Sequence, residues 1–271
     1  MYPTCAMLID THAHIFLEPF ESDFDQMLER ASGAGVGHIL LPAIDAASIT
    51  RCLALADMHS DPERGPVLHA MAGIHPSAVA EATEDDMQRV REVAGDERVV
   101  AIGETGLDYY WDRSFDAKQQ AFLRMHIQLA AACNKPLVLH DRDASDDLVR
   151  ILGEEKEASH HPERIRGVFH CFGGPPDHTE RVLELGFHVG IGGTYTFKNG
   201  GVPDRTATVP MDRIVLETDA PYLTPTPYRG QRNEPSHVAL VAAKLADERD
   251  LTLDEIARIT TANAKALFGL S

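Results

Sequence analysis

The stretch MLIDTHAH, residues 7–14, is the one around which the rest of the chain is organised. Its first three residues are apolar, which is typical of a short buried strand. Because successive side chains of a strand alternate between its two faces, His12 and His14 are expected to point the same way. Two imidazoles at one strand end are half of a metal site. An isolated His-x-His is also common as two polar residues that happen to alternate. Whether it belongs to a metal site therefore depends on which residues end the other strands.

Length and composition limit the kind of protein. The chain has 271 residues, of which 44% are hydrophobic and 25% charged, so it is long enough for one α/β barrel or two smaller domains. No apolar run approaches the length of about 18 residues that a membrane-spanning helix needs. The N-terminus lacks a basic segment followed by an apolar one, so no signal peptide is expected. Four cysteines without CxxC spacing indicate reduced thiols in a cytoplasmic protein: Cys5, Cys52, Cys133 and Cys171.

The charge balance is strongly acidic. Lys and Arg number 25 against 42 Asp and Glu, a formal net charge of −17. Such a field repels polyanions, which disfavours a protein that coats nucleic acid non-specifically. A phosphodiester substrate is still compatible with this charge, because divalent cations bound in one cleft would dominate the local field.

Short apolar runs alternate with helix-period segments along the whole chain. The candidate strands are 7–14, 38–44, 67–75, 99–105, 136–141, 166–172, 188–193 and 213–219. The intervening helices are expected near 23–34, 46–59, 83–94, 115–133, 144–152, 176–186 and 201–209, and two more near 234–248 and 253–267 follow the last strand. The acidic residues 153–163 are expected to form a solvated surface excursion.

This alternation predicts one (β/α)₈ TIM barrel, spanning residues 1–271 as a single domain. The doubly wound open sheet is the alternative. Against it, His12-Ala13-His14 follows the first strand, where a nucleotide-binding sheet would carry G-x-G-x-x-G.

In a barrel the catalytic groups lie at the C-terminal ends of the strands. The candidate strands here end in residues with metal-ligand chemistry, namely His12 and His14, His75, Glu104, His140, His170, and Glu217 and Asp219. Imidazole and carboxylate donors suit Zn²⁺, Mn²⁺ or Mg²⁺. So many donors at one end predict a metal centre.

Four histidines and two carboxylates exceed the needs of one tetrahedral ion. They can hold two divalent ions about 3.5–4 Å apart with a carboxylate that bridges them. Glu104, central in strand order, is the candidate bridge, because Lys135 precedes strand five and lies at the wrong end to serve as a modified bridging lysine. The remaining donors divide into His12, His14 and Asp219 for one ion, and His140 and His170 for the other.

The same residues carry a resemblance to the TatD family of metal-dependent hydrolases, in the amidohydrolase-like group of TIM barrels, over essentially the whole chain and in order. The matching pieces are DTHAH (10–14), GIHP (73–76), GETGLDY (103–109), KP (135–136) with His140 and Arg142, HCF (170–172) with Gly174, GG (192–193) with TFKN (196–199), ETDAPYL (217–223), YRG (228–230) with RNEP (232–235), and Asn263 with Phe268-Gly269. The departures are the extra residues around 154–163 and Gly173, where a serine is common in the family. Neither departure touches a proposed ligand.

The resemblance implies a metal-dependent hydrolase, and family members of known activity are chiefly deoxyribonucleases that act from the 3′ end of DNA. In that chemistry Asp219 could accept the proton of the attacking water, which makes Asp219 and Glu104 the candidate catalytic residues. His75, Arg142 and Arg229 are candidates for phosphate contacts, arginine because its fork matches phosphate. A loop-holding His75 and a salt-bridged Arg229 remain alternatives. Glu217 is expected to orient a ligand imidazole.

Other polar and aromatic residues receive structural interpretations. Asn233 and Glu234 are expected to hold the loop after strand eight. Cys171 follows His170 and is expected on the opposite face, which disfavours a nucleophile. Tyr109, Tyr110 and Trp111 could stack a base, as in single-strand binders, or form a hydrophobic lid.

The leading hypothesis is therefore a monomeric nuclease with two divalent ions (Mg²⁺, Mn²⁺ or Zn²⁺) that acts on single-stranded DNA or 3′ ends. A hydrolase of amide or ester bonds, including aminoacyl esters, or of small phosphoesters would use the same ligands, because the metals polarise carbonyl and phosphoryl oxygens alike. A metal-binding protein without activity would predict a gap in the ligand set, and the sequence has none.

Overall fold

A computed structural model describes residues 6–174 and 176–271. Its eight strands form one parallel sheet in the order in which they occur along the chain. They are β1 (Leu8–Asp10), β2 (Val36–Leu41), β3 (Val67–Ala72), β4 (Val99–Asp108), β5 (Leu137–Arg142), β6 (Gly167–Phe169), β7 (His188–Ile191) and β8 (Ile214–Leu216). Cys5, one of the four cysteines, lies outside the described residues.

The sheet closes on itself between β8 and the segment that follows β1. The Thr11 N–H donates to the carbonyl of Leu216 over 3.0 Å, and the His14 N–H donates to the carbonyl of Ala220 over 2.7 Å. Ala13 forms a parallel bridge with Ala220. The prediction of a TIM barrel is therefore confirmed, and the open doubly wound alternative is wrong.

Helices alternate with the strands around the outside of the barrel. They are α1 (Phe24–Gly33), α2 (Ala46–Met58), α3 (Glu84–Val93), α4 (Asp116–Cys133), α5 (Ser145–Ala158), α6 (Pro176–Glu184), α7 (Val202–Arg205), α8 (Val238–Arg249) and α9 (Leu253–Phe268). Within the described ranges, none of these helices has both the length and the apolar character that crossing a bilayer demands.

The barrel interior is apolar at one end and polar at the other. A cluster of buried side chains joins one residue from most strands to the end of α9, namely Ile9, Leu40, Met71, Ala101, Val138, Val168, Val215, Ala264, Leu267 and Phe268. Helix α9 covers the N-terminal end of the barrel, where Asn263 donates to the carbonyls of Met211, which precedes β8, and of Ile214, its first residue. The C-terminal end is left open for a site.

Strand periodicity places several candidate ligands directly above this apolar plug. His140 lies two residues after Val138, His170 two after Val168, and Glu217 two after Val215. Because side chains two apart share a face of a strand, each polar group points into the same interior as the apolar residue below it.

Two stretches differ from the sequence prediction. Strands β1, β6 and β8 have three residues each, so the candidate ligands follow them instead of ending them. Helix α5 continues to Ala158, so the first part of the acidic stretch 153–163 is helical and not an excursion. Charge pairs support this extension, because Arg150 contacts Glu154 four residues later over 2.7 Å, and Arg124 of α4 contacts Glu155 over 2.7 Å.

Candidate metal centre

A first group of ligand atoms lies where β1 and β8 meet. The Nε2 atoms of His12 and His14 are 3.3 Å apart. Oε2 of Glu104 lies 3.2 Å from the first and 3.6 Å from the second, and Oδ1 of Asp219 lies 3.8 Å and 3.6 Å from them. Three elements far apart in sequence thus bring four donor atoms together.

Backbone contacts between the two chain segments hold this group in place. The Asp219 N–H donates to the carbonyl of His12 over 2.8 Å, and Asp219 has a left-handed φ of +60°. The buried carboxylate of Asp10 accepts from both the backbone N–H (2.9 Å) and the hydroxyl (2.6 Å) of Thr218. Burial raises the pKa of Asp10 to about 8, against the effect of these hydrogen bonds. Asp10 therefore joins the two ligand segments, a function that the sequence analysis missed.

A second group of ligand atoms surrounds the other oxygen of Glu104. Oε1 lies 3.1 Å from Nδ1 of His140, 3.5 Å from Nε2 of His75 and 3.6 Å from Nε2 of His170. The structure thus brings His75, expected as a phosphate contact, into the ligand cluster itself. The ring of His75 packs edge-on against that of His140, with centroids 4.5 Å apart.

Glu104 therefore stands between the two groups, with one oxygen facing each. Its side chain is 2% exposed. Burial by itself would raise the pKa of this carboxyl, but the imidazoles of His12, His75 and His170 outweigh it and hold that pKa well below its usual range. The ionised carboxylate thus directs one oxygen toward each group of donors.

Outer carboxylates and a hydroxyl orient the imidazoles of the second group. Oε1 of Glu217 lies 3.1 Å from Nδ1 of His170, as expected for a residue that positions a ligand. Oδ2 of Asp108 lies 3.1 Å from Nε2 of His140, and Asp108 was given no function by the sequence analysis. The sequence offered a sign of this function, because Asp108 lies on the same strand as Glu104 and nearer the C-terminal end of the barrel. The hydroxyl of Ser77 lies 2.7 Å from Nδ1 of His75.

The two groups differ in their electrostatics. Burial lowers the pKa of His14 to about 3, with a contribution from His12, so this imidazole is neutral and ready to ligate. Burial also opposes charge on His140 and His170, but the neighbouring carboxylates outweigh it and raise the pKa values to about 9 and about 10. Protons on these rings balance the carboxylates, and a bound cation would replace them.

This donor set fits divalent metal ions. Among the described residues, three groups have all their donor atoms within 4.8 Å of one another: His12, His14 and Asp219; His12, Glu104 and His170; and His75, Glu104 and His140. Each combines imidazole nitrogen with carboxylate oxygen, the ligands preferred by ions such as Zn²⁺ and Mn²⁺. The chemistry of the donors is therefore right for a metal centre.

The candidate phosphate contacts lie at the mouth above these groups. The guanidinium of Arg142 lies over the ring of Tyr110, 3.9 Å from its centroid, and that of Arg229 lies over Phe197 at 3.5 Å. Within the part of the chain that the structure describes, Arg229 makes no ion pair, so the alternative of a structural salt bridge has no support. Both arginines are exposed residues.

Three further residues were given expectations by the sequence analysis, and the structure shows their surroundings. Lys135 donates to the carbonyls of Asp96 and Val99, at the start of β4 and away from the site. Asn233 ties the loop after β8 by donating to the carbonyls of Thr218 and Tyr222. Burial, together with Asp219 and Glu217, raises the pKa of the Cys171 thiol well above its usual value, which keeps it protonated.

Comparison with known proteins connects this geometry to a family. Residues 9–269 match the family model described as TatD related DNase. The uncharacterized metal-dependent hydrolase YabD of Bacillus subtilis is 40% identical over 266 residues, which cover 98% of this chain and 100% of that protein. A protein of Enterobacter lignolyticus named 3'-5' ssDNA/RNA exonuclease TatD is 32% identical over 271 residues, covering 97% of this chain and 100% of its own.

A solved structure gives the same result. The crystal structure of YjjV, a TatD homologue from Escherichia coli, superposes with a TM-score of 0.89 at 33% identity and covers 97% of this chain and 98% of that one. The barrel, the donor set at its open end and the match along nearly the whole chain agree with one another. The protein is a metal-dependent hydrolase and belongs to the TatD family.

Proposed function

We propose that this protein uses two divalent ions to hydrolyse phosphodiester bonds, and that it removes nucleotides from the 3′ ends of single-stranded DNA. The observation that carries the proposal is the Glu104 carboxylate, whose two oxygens face separate groups of donors, 3.2 Å from His12 on one side and 3.1 Å from His140 on the other. Two-ion centres of this kind are common in nucleases and phosphatases. The name of the Enterobacter relative supports the same substrate class.

In this proposal His12, His14 and Asp219 hold one ion together with Glu104, and His140 and His170 hold the other. His75 is available to the second group as an additional donor. Bound ions would supply Lewis acidity, lowering the pKa of water and neutralising charge on the phosphate oxygens. All of these donors come from one chain, so we expect the monomer to be active.

The chain's own residues supply proton transfer and substrate contacts. Oδ1 of Asp219 lies 3.8 Å from Nε2 of His12 and 3.6 Å from Nε2 of His14, beside the proposed ions, and this carboxylate is the candidate acceptor for the proton of the attacking water. Arg142 and Arg229 present exposed guanidinium groups at the mouth, where each can donate two hydrogen bonds to one phosphate. These cations at the entrance favour a phosphodiester over an uncharged amide or ester.

The test is digestion of single-stranded DNA, labelled at the 5′ end in one series and at the 3′ end in another. Chelator-stripped protein is resupplied with Mg²⁺, Mn²⁺ or Zn²⁺. We expect metal-dependent, stepwise shortening from the 3′ end, with loss of activity in Asp219→Asn. Asp85→Asn, which changes an exposed carboxylate in the first turn of α3, is the matched control and should cleave like the native protein.

Two results would contradict the proposal. Equal cleavage by the native protein and Asp219→Asn would indicate a contaminating nuclease. An absence of DNA cleavage with every ion, together with metal-dependent hydrolysis of aminoacyl esters or small phosphoesters, would assign the same centre to a different bond.

A further inference from the structure

Two exposed aromatic rings and one arginine form a platform beside the metal centre; we use "rim platform" for Tyr110, Trp111 and Arg142. Trp111 is the single tryptophan of the chain and is 73% exposed, and Tyr110 is 53% exposed. The rings meet edge to face, with centroids 4.8 Å apart and planes at 89°. The guanidinium carbon of Arg142 lies 3.9 Å from the Tyr110 centroid and 5.3 Å from that of Trp111.

Backbone contacts fix the rim platform outside the core. The Tyr109 N–H donates to the carbonyl of Arg142 over 2.9 Å, and the Tyr110 N–H donates to Oδ1 of Asp108 over 3.0 Å. Tyr109 itself is buried, and its hydroxyl donates to Asp147 over 2.9 Å. With Tyr109 anchored inward, the next two rings are held at the surface, where both remain largely exposed, Trp111 the more so.

The rim platform is close to the proposed reacting centre. Asp108 pairs in register with Arg142, and Asp108 also contacts His140 of the second ligand group over 3.1 Å. Tyr110 lies two residues beyond Asp108, and Arg142 two residues beyond His140. At about 3.3 Å per strand residue, the backbone of Arg142 lies about 7 Å beyond that of His140, so the platform stands next to the second ligand group.

The charge of Arg142 is available to a ligand. Among the described residues, its guanidinium makes no hydrogen bond and no ion pair within 4 Å, although it lies near enough to Asp108 to help lower the pKa of that carboxyl. In contrast, Arg30 is held by two carboxylates, Asp23 and Glu234. A guanidinium stacked on aromatic rings keeps its N–H groups free at the edge, where they can reach a phosphate.

We propose that the rim platform binds an unpaired nucleobase of the substrate, which stacks on the exposed ring of Trp111, while Tyr110 supports that ring edge-on and Arg142 donates to the adjoining phosphate. This inference rests on the proposed nuclease function and adds the part of the site that selects single-stranded ends. Any base can stack on an aromatic face, so the platform reads no sequence. A base held within a duplex has both faces covered by its neighbours and cannot stack there.

The test couples a change in the protein to a change in the DNA. The rate constant kcat/KM is measured on 5′-labelled single strands with natural bases. It is also measured on three matched strands, each with a single abasic nucleotide at a different one of the last three positions at the 3′ end. The metal-loaded native enzyme is compared with Trp111→Ala, with Trp111→Phe, and with Met58→Ala. Met58 is a control at the C-terminal end of α2, exposed at 59% and remote from the mouth.

A stacking site predicts a specific pattern. At one position, removing the base should lower kcat/KM of the native enzyme by about 5- to 140-fold, the range expected for one stacked base. Trp111→Ala should lower kcat/KM on natural DNA by a similar factor. In this variant, kcat/KM on the abasic strand should be only slightly lower than on natural DNA, because the stacking partner of the base is already absent. Trp111→Phe should retain most of that penalty, and Met58→Ala should behave like the native enzyme.

Fluorescence supplies an independent readout. Because Trp111 is the single tryptophan, its emission should be quenched when a single-stranded oligonucleotide binds to the chelated, inactive native protein, and a blunt duplex should quench it less. Equal abasic penalties in the native enzyme and Trp111→Ala would overturn the rim platform and leave the nuclease proposal standing. An absence of DNA cleavage with every ion, together with an absence of quenching in the chelated protein, would overturn both.

Discussion

Replacing His126 by glutamine should remove a defined part of the acid sensitivity of this fold. His126 lies on α4 and is fully buried. Its Nε2 accepts from the Ile74 N–H over 3.1 Å, and its Nδ1 lies 2.7 Å from the carbonyl of Phe122, to which it donates. Ile74 directly precedes His75, so this neutral imidazole holds the backbone that carries His75 into the second ligand group.

The magnitude follows from the shifted pKa. Burial lowers the pKa of His126 from its ordinary 6.5 to about 4, with a smaller contribution from Arg91, against the opposing effect of the Phe122 carbonyl. At about 1.4 kcal/mol per pKa unit, the neutral form contributes about 3 kcal/mol to the free energy of unfolding. Because the unfolded chain binds the proton more readily, this contribution is complete above pH 6.5 and is lost as the pH falls toward 4.

The assay is urea unfolding followed by circular dichroism at several values between about pH 7.5 and about pH 4.5, with chelator present so that ion binding does not contribute. Relative to His126→Gln, the native protein should lose about 2.5 kcal/mol over this range. His160→Gln, a change at an exposed histidine, is the control and should follow the native curve. If the difference in unfolding free energy between the native protein and His126→Gln stays constant within about 0.5 kcal/mol, the reasoning is refuted, because burial would then not be what keeps this imidazole neutral.

The other predictions concern the metal centre. Under the two-ion proposal, Asp108→Asn should weaken the binding of one ion by about 10- to 100-fold in calorimetric titration, because His140 loses its orienting carboxylate; unchanged affinity would assign Asp108 a purely structural role. Glu104→Gln should leave at most one ion per chain by elemental analysis, and retention of two would exclude a bridge. Chelation should lower Tm by about 5–10 °C, since an ion present at about 100 times its Kd contributes about 2.7 kcal/mol, and readdition should restore it. A Tm insensitive to chelation would argue against tight binding.

Much of the fold was predictable from local patterns. The eight apolar runs and the amphipathic segments between them identify the barrel, because the two periods of strand and helix are written into the order of side chains. The same periodicity places His140 and His170 inside the barrel, two residues beyond Val138 and Val168. The bounds of the short strands were less predictable, since pairing at the rim depends on neighbours that are distant in sequence.

Other features depend on irregular backbone. The register between β4 and β5 shifts between Ile102 and Thr105, so the direction of Glu104 does not follow from counting along the strand. Similarly, His12 is out of phase with the interior residue Ile9, three positions earlier. Simple alternation would direct these side chains away from the interior. The sequence alone therefore predicted that these residues lie at strand ends, but not the irregular backbone that directs their side chains into the barrel.

The amino-acid sequence by itself determined the barrel, the donor set of histidines and carboxylates, and the end of the barrel at which these donors collect. Only the tertiary structure decided how these donors are arranged. Glu104 directs one oxygen to each of the two groups, and His75 joins the second group. Asp108 orients the ring of His140, and Asp10 links the two chain segments that carry ligands. The physical reason is distance along the chain. Asp10 and Thr218 are 208 residues apart, and only closure of the barrel brings them within hydrogen-bonding reach.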